Sequence, residues 1–339
     1  MISRTFFHTL IVHIAVLFML FSGGCGGTGQ AAEKDVIMSD ILMGTFVRVK
    51  IRPEGSKREN AEMLSKKAFE LAVRLETVFN IFDPESEISG LNLSGGGSVS
   101  PDMLEALGTA EEIGELTGGK FDITIAPILK KKGFYGDMPE ELIDSIPDGT
   151  AGVGWENVGI DEARGTVTLQ SGAWIDLSGI AKGYIADRMS DLLKEGGIED
   201  FIVDAGGDMC CRSFRPEGWI IGVRDPRGQD IALKLRMVSG AVATSGDYEN
   251  VMPGGDGGFV AHIVDTDTDK VIERRFYSVT VIADTCAKAD AFATAFMTYG
   301  PNEAVAVADR TDGVDIVIID ERDGRRVIRM SLGAGRYVL

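Results

Sequence analysis

The stretch AKADAFATAFM, residues 287–297, places Asp290 and Thr294 four positions apart in a run that is otherwise almost wholly apolar. Read as a helix, it stacks the carboxylate and the hydroxyl one above the other on one face. Ala289, Ala291, Phe292, Ala293, Ala295, Phe296 and Met297 surround them. A carboxylate buried in that company needs compensation, and a bound cation supplies it. The alternative is a helix-start carboxylate that faces solvent or pairs with Lys288.

This helix is predicted over Cys286–Tyr299, followed by a second over Asn302–Ala308 and two closing strands. Before it strands dominate: Phe201–Asp204, Trp219–Arg224, Ile231–Met237, Ala241–Ser245, Val260–Asp265 and Phe276–Ala283. Further back lie a helix from Ile180 to about Lys194 and strands Thr166–Gln170 and Trp174–Leu177. Residues 130–165 are irregular and rich in Gly, Asp and Pro. Ahead of them come a strand Met43–Ile51, an amphipathic helix Arg58–Phe79, a loop FDPESEISGLN (82–92) and a helix Pro101–Leu116. Such blocks predict an α+β fold, mixed antiparallel sheets with packed helices, and not a doubly wound sheet. No G-x-G-x-x-G follows a first strand, which argues against a Rossmann nucleotide site.

Residues 1–24 read as a leader: Arg4 is a short basic start, and Leu10–Phe21 is apolar but too short to span a membrane comfortably. Ser22, Gly23 and Gly24 lead into Cys25, the ending of a bacterial lipoprotein signal, with Ser22 where an aliphatic residue is usual. Ordinary secretion is the alternative. Cys25 would then carry the lipid, residues 25–36 form a flexible tether, and residues 37–339 form the folded domain. The expected location is extracytoplasmic, on the periplasmic side, anchored to the inner or outer membrane. Losing Arg4 with the leader moves the formal net charge from -18 to -19. So acidic a chain does not seek nucleic acid or anionic lipid, and multiple acylation of Cys25 would hold it at the membrane. Adjacent Cys210 and Cys211 are poorly placed for a mutual bridge, and Cys286 suits apolar filling.

Four further segments carry candidate chemistry. In Asp176-Leu-Ser-Gly-Ile-Ala-Lys-Gly183, a strand end meets a helix start whose free N–H groups suit a phosphate, with Lys182 one turn in. The bland reading makes Ser178 a helix cap and Gly179 a turn residue. Val203-Asp-Ala-Gly-Gly-Asp208 is either a close-approach loop or a tight structural turn. Gly118-Gly-Lys-Phe-Asp-Ile-Thr124 combines glycine freedom with Phe121 and Asp122, a ligand loop or a core ring beside a cap. With His8 and His13 removed, His262 is the sole imidazole of the mature chain and its one histidine candidate for a base.

Together these segments resemble the ApbE family of FAD:protein FMN transferases. MGTFVRVKI, FDPESEISGLN, GGKFDITIAP, IDLSGIAKGYIAD, VDAGGD, VATSGDYE, HIVD and AKADAFATAFM follow in the family's order over nearly the whole mature chain. The resemblance implies a T-fold-like α+β architecture, FAD as substrate, Mg²⁺, and transfer of FMN to a Thr or Ser hydroxyl of an extracytoplasmic redox protein with release of AMP. It implies FAD contacts at Met43, Phe82, Lys120, Phe121, Asp122, Asp176, Lys182 and Val264. Phe82 stands where Tyr is frequent, and Lys182 where some members have Glu. It implies magnesium ligands at Asp290, Thr294 and the Gly179 carbonyl, with backbone groups near Ala293, and casts His262 as base or orienter. The turn after His262 departs from the family's H-x-x-D-P-x-T-G, reading His262-Ile-Val-Asp265-Thr266-Asp267-Thr268-Asp269. Alternatives are an FAD pyrophosphatase giving FMN and AMP, and a non-catalytic FAD-binding lipoprotein.

Overall fold

The computed structural model describes residues 34–54, 57–228, 230–246, 251–253, 259–261, 264–265, 270–271 and 277–339. The leader, Cys25, most of the tether and His262 lie outside the described residues. The chain opens on a hairpin, β1 (Val36–Leu42) and β2 (Thr45–Ile51), joined by a left-handed turn at Met43 and Gly44, φ 53° and 66°. The single strand expected from Met43 is therefore a strand pair, with Met43 in its turn.

Helix α1 (Arg58–Phe79) buries Ala61, Leu64, Ala68, Ala72 and Leu75, the three-and-four spacing of one helical face. The expected loop at 82–92 is instead a turn feeding α2 (Glu87–Ser94). Ser86 caps its start by accepting from the Ser89 N–H, and Gly95 ends it at φ 70°. Then follow β3 (Gly96–Ser98) and α3 (Pro101–Leu116), whose Ser100 cap and Pro101 are legible start signals. α4 (Ala126–Lys131) runs into the region read as irregular, which itself holds α5 (Glu140–Ser145) and β4 (Val158–Asp161), the last pairing with β5 (Thr166–Leu169).

Residues 174–177, expected to be a strand, join no sheet among the described residues. Asn92 replaces a neighbouring strand there: its side-chain amide accepts from the Ile175 N–H and donates to the Ile175 carbonyl, both at 2.8 Å. After α6 (Ala181–Glu195) come β6 (Phe201–Ala205), β7 (Asp208–Arg212), β8 (Trp219–Arg224), β9 (Ile231–Met237) and β10 (Ser239–Gly246). The strand expected over 260–265 divides between β12 and β13, so that β11 (Val251–Pro253) pairs with β12 (Phe259–Ala261), and β13 (Val264–Asp265) with β14 (Lys270–Val271). β15 (Ser278–Ala283), α7 (Cys286–Phe296), α8 (Pro301–Ala308), β16 (Asp315–Arg322) and β17 (Arg325–Met330) complete the chain.

One eight-stranded antiparallel sheet, ordered β1-β2-β6-β7-β10-β15-β16-β17, divides two apolar cores. Alternation sends Cys210, Ala241, Val281 and Ile316 to the helical side, where α1, α6 and α7 pack. It sends Cys211, Val242, Ile282 and Ile319 to the other side, onto Trp219, Ile221 and Leu235 of the β8–β9 hairpin. The adjacent cysteines thus face opposite cores as free thiols. The α+β class with antiparallel sheets is the one expected from the sequence.

Candidate active site

Asp290 is buried on α7, one turn past the helix start. Its carboxylate oxygens lie 3.2 and 3.4 Å from the Lys182 Nζ on α6, and Oδ2 also accepts from the Gly183 N–H at 3.2 Å. The same ammonium lies 3.2 Å from Asp208, the first residue of β7. Lys288 takes no part, because it pairs with Glu112 at 2.8 Å. The solvent-facing alternative for Asp290 is overturned. The Lys182 side chain is 31% exposed and each carboxylate side chain 5%, so water reaches the cluster from the lysine side.

Two buried acids against one base leave one negative charge uncompensated. Burial first, and then the charge of Asp208, push the Asp290 carboxyl up to about 7 against the pull of Lys182. Burial raises Asp208 as well. Burial opposes the Lys182 charge, but the two carboxylates more than offset it and hold its pKa above the ordinary value.

Thr294 is half-buried on the same helix, as the four-residue spacing predicts. Gly179 lies against it: a Cβ built on Gly179 would stand 3.7 Å from Thr294 Oγ1 and 3.2 Å from the Phe121 ring. Thr294, Gly179 and Phe121 therefore meet, with Asp290 one turn before Thr294 on α7. The Ala293 carbonyl is used within α7, accepting from the Met297 N–H at 3.3 Å.

The helix start after Asp176 differs from expectation. α6 begins at Ala181, Ser178 does not cap it, and the Ser178 N–H donates to Asp176 Oδ1 at 2.8 Å. The Ile180 and Ala181 N–H groups both donate to the Leu177 carbonyl, and Gly183 is committed to Asp290. The local chain thus uses donors that the sequence reading left for phosphate. Asp176 Oδ2 accepts from the buried Tyr135 hydroxyl at 2.6 Å, and burial raises the phenol pKa further. Tyr135 in turn meets Phe82 edge to face at 6.2 Å. The Phe82 ring, 41% exposed, presents area for stacking.

Phe121 is a core ring, and Asp122 accepts from both the Thr124 N–H and its hydroxyl, at 2.7 and 2.6 Å. Burial raises the Asp122 pKa despite those bonds. Lys120 is half-buried just before Phe121. The 118–124 and 174–183 segments are joined where the Asp176 N–H donates to the Ile123 carbonyl at 2.7 Å. Met43 is anchored to α1 instead, its N–H donating to Glu76 at 2.9 Å. Val264 opens the short β13.

Sequence reasoning missed Asp208, Tyr135 and Asn92. Gly206 and Gly207, φ 72° and 105°, form the hairpin turn between β6 and β7, so the bland reading holds for the glycines. The chemistry falls on the carboxylate just after them, which opens a buried strand. Tyr135 gave no signal, because the segment around it has no periodicity.

No three His, Cys, Asp or Glu side chains gather as a metal site among the described residues. A metal beside Asp290 would have one carboxylate, with Thr294 one turn on and Gly179 against it as the oxygen donors that the resemblance implies. This all-oxygen set suits a hard divalent cation such as Mg²⁺, and the uncompensated negative charge favours one. The residues present fit the ion.

The antiparallel α+β scaffold has counterparts among solved structures. The solved flavin transferase ApbE from Vibrio cholerae matches it with a TM-score of 0.75 at 26% identity, covering 90% of this chain and 99% of that one. The ApbE protein of Thermotoga maritima matches with a TM-score of 0.78 at 30% identity, covering 90% and 99%. The Escherichia coli K12 protein named FAD:protein FMN transferase is 30% identical over 320 residues, 88% of this chain and 89% of its own. The ApbE family model matches residues 43–318. The chain belongs to the ApbE family.

Proposed function

We propose that this chain is an FAD:protein FMN transferase that uses Mg²⁺, moving FMN from FAD onto a Thr or Ser hydroxyl of an extracytoplasmic redox protein. Asp290 held by the Lys182 ammonium, one helical turn from a Thr294 that lies against Gly179, carries this reading, and the names of the relatives support it. The acceptor oxygen attacks the FMN phosphorus, the bond from that phosphorus to the bridging oxygen breaks, and AMP leaves with that oxygen. The hydroxyl proton passes to a base, a role assigned to His262.

Bound at Asp290, Thr294 and the Gly179 carbonyl, Mg²⁺ would neutralise charge on pyrophosphate oxygens. Lys182 holds Asp290 in place, its ammonium spanning both Asp290 oxygens and Asp208. Tyr135 fixes Asp176, and the exposed face of Phe82 receives an aromatic ring of FAD. Catalysis is then chiefly positioning and electrostatics. Lipidation of Cys25 would keep the enzyme on the periplasmic side of a membrane. No helix among the described residues is long and apolar enough to cross one.

The test is to incubate the purified mature protein with FAD and Mg²⁺, with and without a hydroxyl-bearing acceptor protein, and to quantify AMP and flavin-labelled acceptor. AMP released only with acceptor, together with covalent flavin, is the expected result. AMP without acceptor would make the enzyme a pyrophosphatase, and tight FAD binding without AMP would sink both catalytic readings.

A further inference from the structure

Asp187 lies outside the cluster described above, yet three donors converge on its half-buried carboxylate. The Cys286 and Ala287 N–H groups donate to it at 2.8 Å each, and the Cys210 thiol at 3.1 Å. The two N–H groups are the first of α7, donors that a helix start leaves without an intrahelical partner. The local cap of α7, Thr285, accepts from the Lys288 N–H and leaves these two donors to Asp187. Asp187 therefore caps α7 from another helix, with its charge at the positive end of the α7 dipole.

Gly183 stands one turn before Asp187 on the same face of α6. A Cβ there would lie 2.3 Å from the Cys286 carbonyl oxygen and 2.8 Å from the Ala287 Cα, so only glycine lets the two backbones meet. The Gly183 N–H grips Asp290, and Asp187 grips the start of the helix that carries it. From Cys286 to Asp290 the helix rises about 6 Å. A small tilt of α7 about its start would therefore swing Asp290 away from Lys182 and Gly179.

We propose that Asp187 is a positioning residue that locks the start of α7 onto α6 and so places Asp290 for the divalent cation, while Cys210 completes the clamp from β7. The proposal rests on the metal-assisted transfer described above, and it makes an interhelical carboxylate cap a support of the active site. Partners bonded directly to metal ligands typically change metal affinity by about ten- to a hundredfold, and Asp187, which acts through the start of α7, should reach the lower end.

The experiment compares wild type, Asp187→Asn and, as a control on the same helix, Asp191→Asn. It titrates Mg²⁺ at saturating FAD for AMP release and measures amide hydrogen exchange over residues 284–292 without ligands. Asp187→Asn is expected to raise the half-saturating Mg²⁺ concentration about tenfold, with less than about twofold change in KM for FAD at saturating Mg²⁺. Exchange over 284–292 should accelerate at least about fivefold, and Asp191→Asn should change neither readout. Equal shifts in Asp187→Asn and Asp191→Asn, or none in Asp187→Asn, overturn the proposal. Should Asp187→Asn fail to fold, Cys210→Ala removes one donor of the clamp. It should move both readouts in the same direction, with Cys210→Ser restoring them, and unchanged readouts in Cys210→Ala overturn the proposal. If wild type releases no AMP, the transferase reading fails by itself, and unchanged exchange in Asp187→Asn still decides against the clamp.

Discussion

Two clusters of three charges sit in this molecule in opposite surroundings. At the meeting of α6, α7 and β7, one ammonium serves two buried carboxylates, Lys182 between Asp290 and Asp208. At the end of β8, one carboxylate serves two guanidinium groups, Asp225 held by Arg227 and Arg326 at 2.9 Å each. Asp225 is buried as well, but its arginine partners are about a third exposed. Its hydrogen bonds to Arg227 lead the causes that hold its pKa well below the ordinary value. Asp290 moves the other way, up to about 7, because burial outweighs its single cation. The count of ion pairs is the same. Desolvation and the sign of the surplus charge separate a cluster that staples a surface from one that seeks a further cation.

Breaking the buried cluster should cost most. Lys182→Met leaves two buried carboxylates facing each other and should destabilise the fold by about 3–5 kcal/mol in urea unfolding at pH 8. The deficit should shrink at pH 5, where Asp290 takes up a proton, and a pH-independent deficit would refute the charge argument. Asp290→Ala relieves that surplus, so the fold should survive by circular dichroism while AMP release falls by roughly a hundredfold or more. Normal turnover at ordinary Mg²⁺ would remove Asp290 from the ligand set.

Tyr135→Phe strips the hydroxyl from buried Asp176, and thermal unfolding should report a loss of about 2 kcal/mol with a raised KM for FAD. A neutral outcome would mean that water replaces the phenol. Asp225→Asn keeps an acceptor oxygen for arginines that are themselves about a third exposed, and should cost only about 1 kcal/mol. That closes the scale.

The pH dependence of the two clusters should run in opposite directions. Asp290 binds a proton when folded that it has lost when unfolded, between about pH 4 and about pH 7. Its contribution to stability therefore falls as pH rises through that window, and Asp290→Asn should flatten the slope. Asp225 contributes stability above about pH 4 that is lost as pH falls toward its depressed folded value. Denaturant midpoints for the two single variants across pH 3–8 would separate these slopes, and slopes of the same sign would break the comparison.

Much of the scaffold was legible from local pattern. α1 and α3 show three-and-four spacing or explicit caps, and α7 shows an apolar run that fixes its interior place. The Asp290–Thr294 spacing survives intact because a helix converts a four-residue interval into one shared face. α2 was misread because its Gly and Asn content resembles a turn, whereas the Ser86 cap and the Gly95 stop make it a helix. Residues 174–177 look like a strand because they are apolar, yet Asn92, 83 positions away from Ile175, takes the hydrogen bonds a strand would have made.

The sequence by itself determined the α+β class, the order of the family's motifs and the acids and hydroxyls available for chemistry. Only the tertiary structure decided that Lys182, not Lys288, neutralises Asp290, that Asp208 competes for the same ammonium, and that Asp187 caps a helix a hundred residues away. The reason is physical. Helix and strand patterns are set by neighbours a few residues apart, whereas the protonation and placement of a buried charge depend on whatever the packed core brings within about 4 Å.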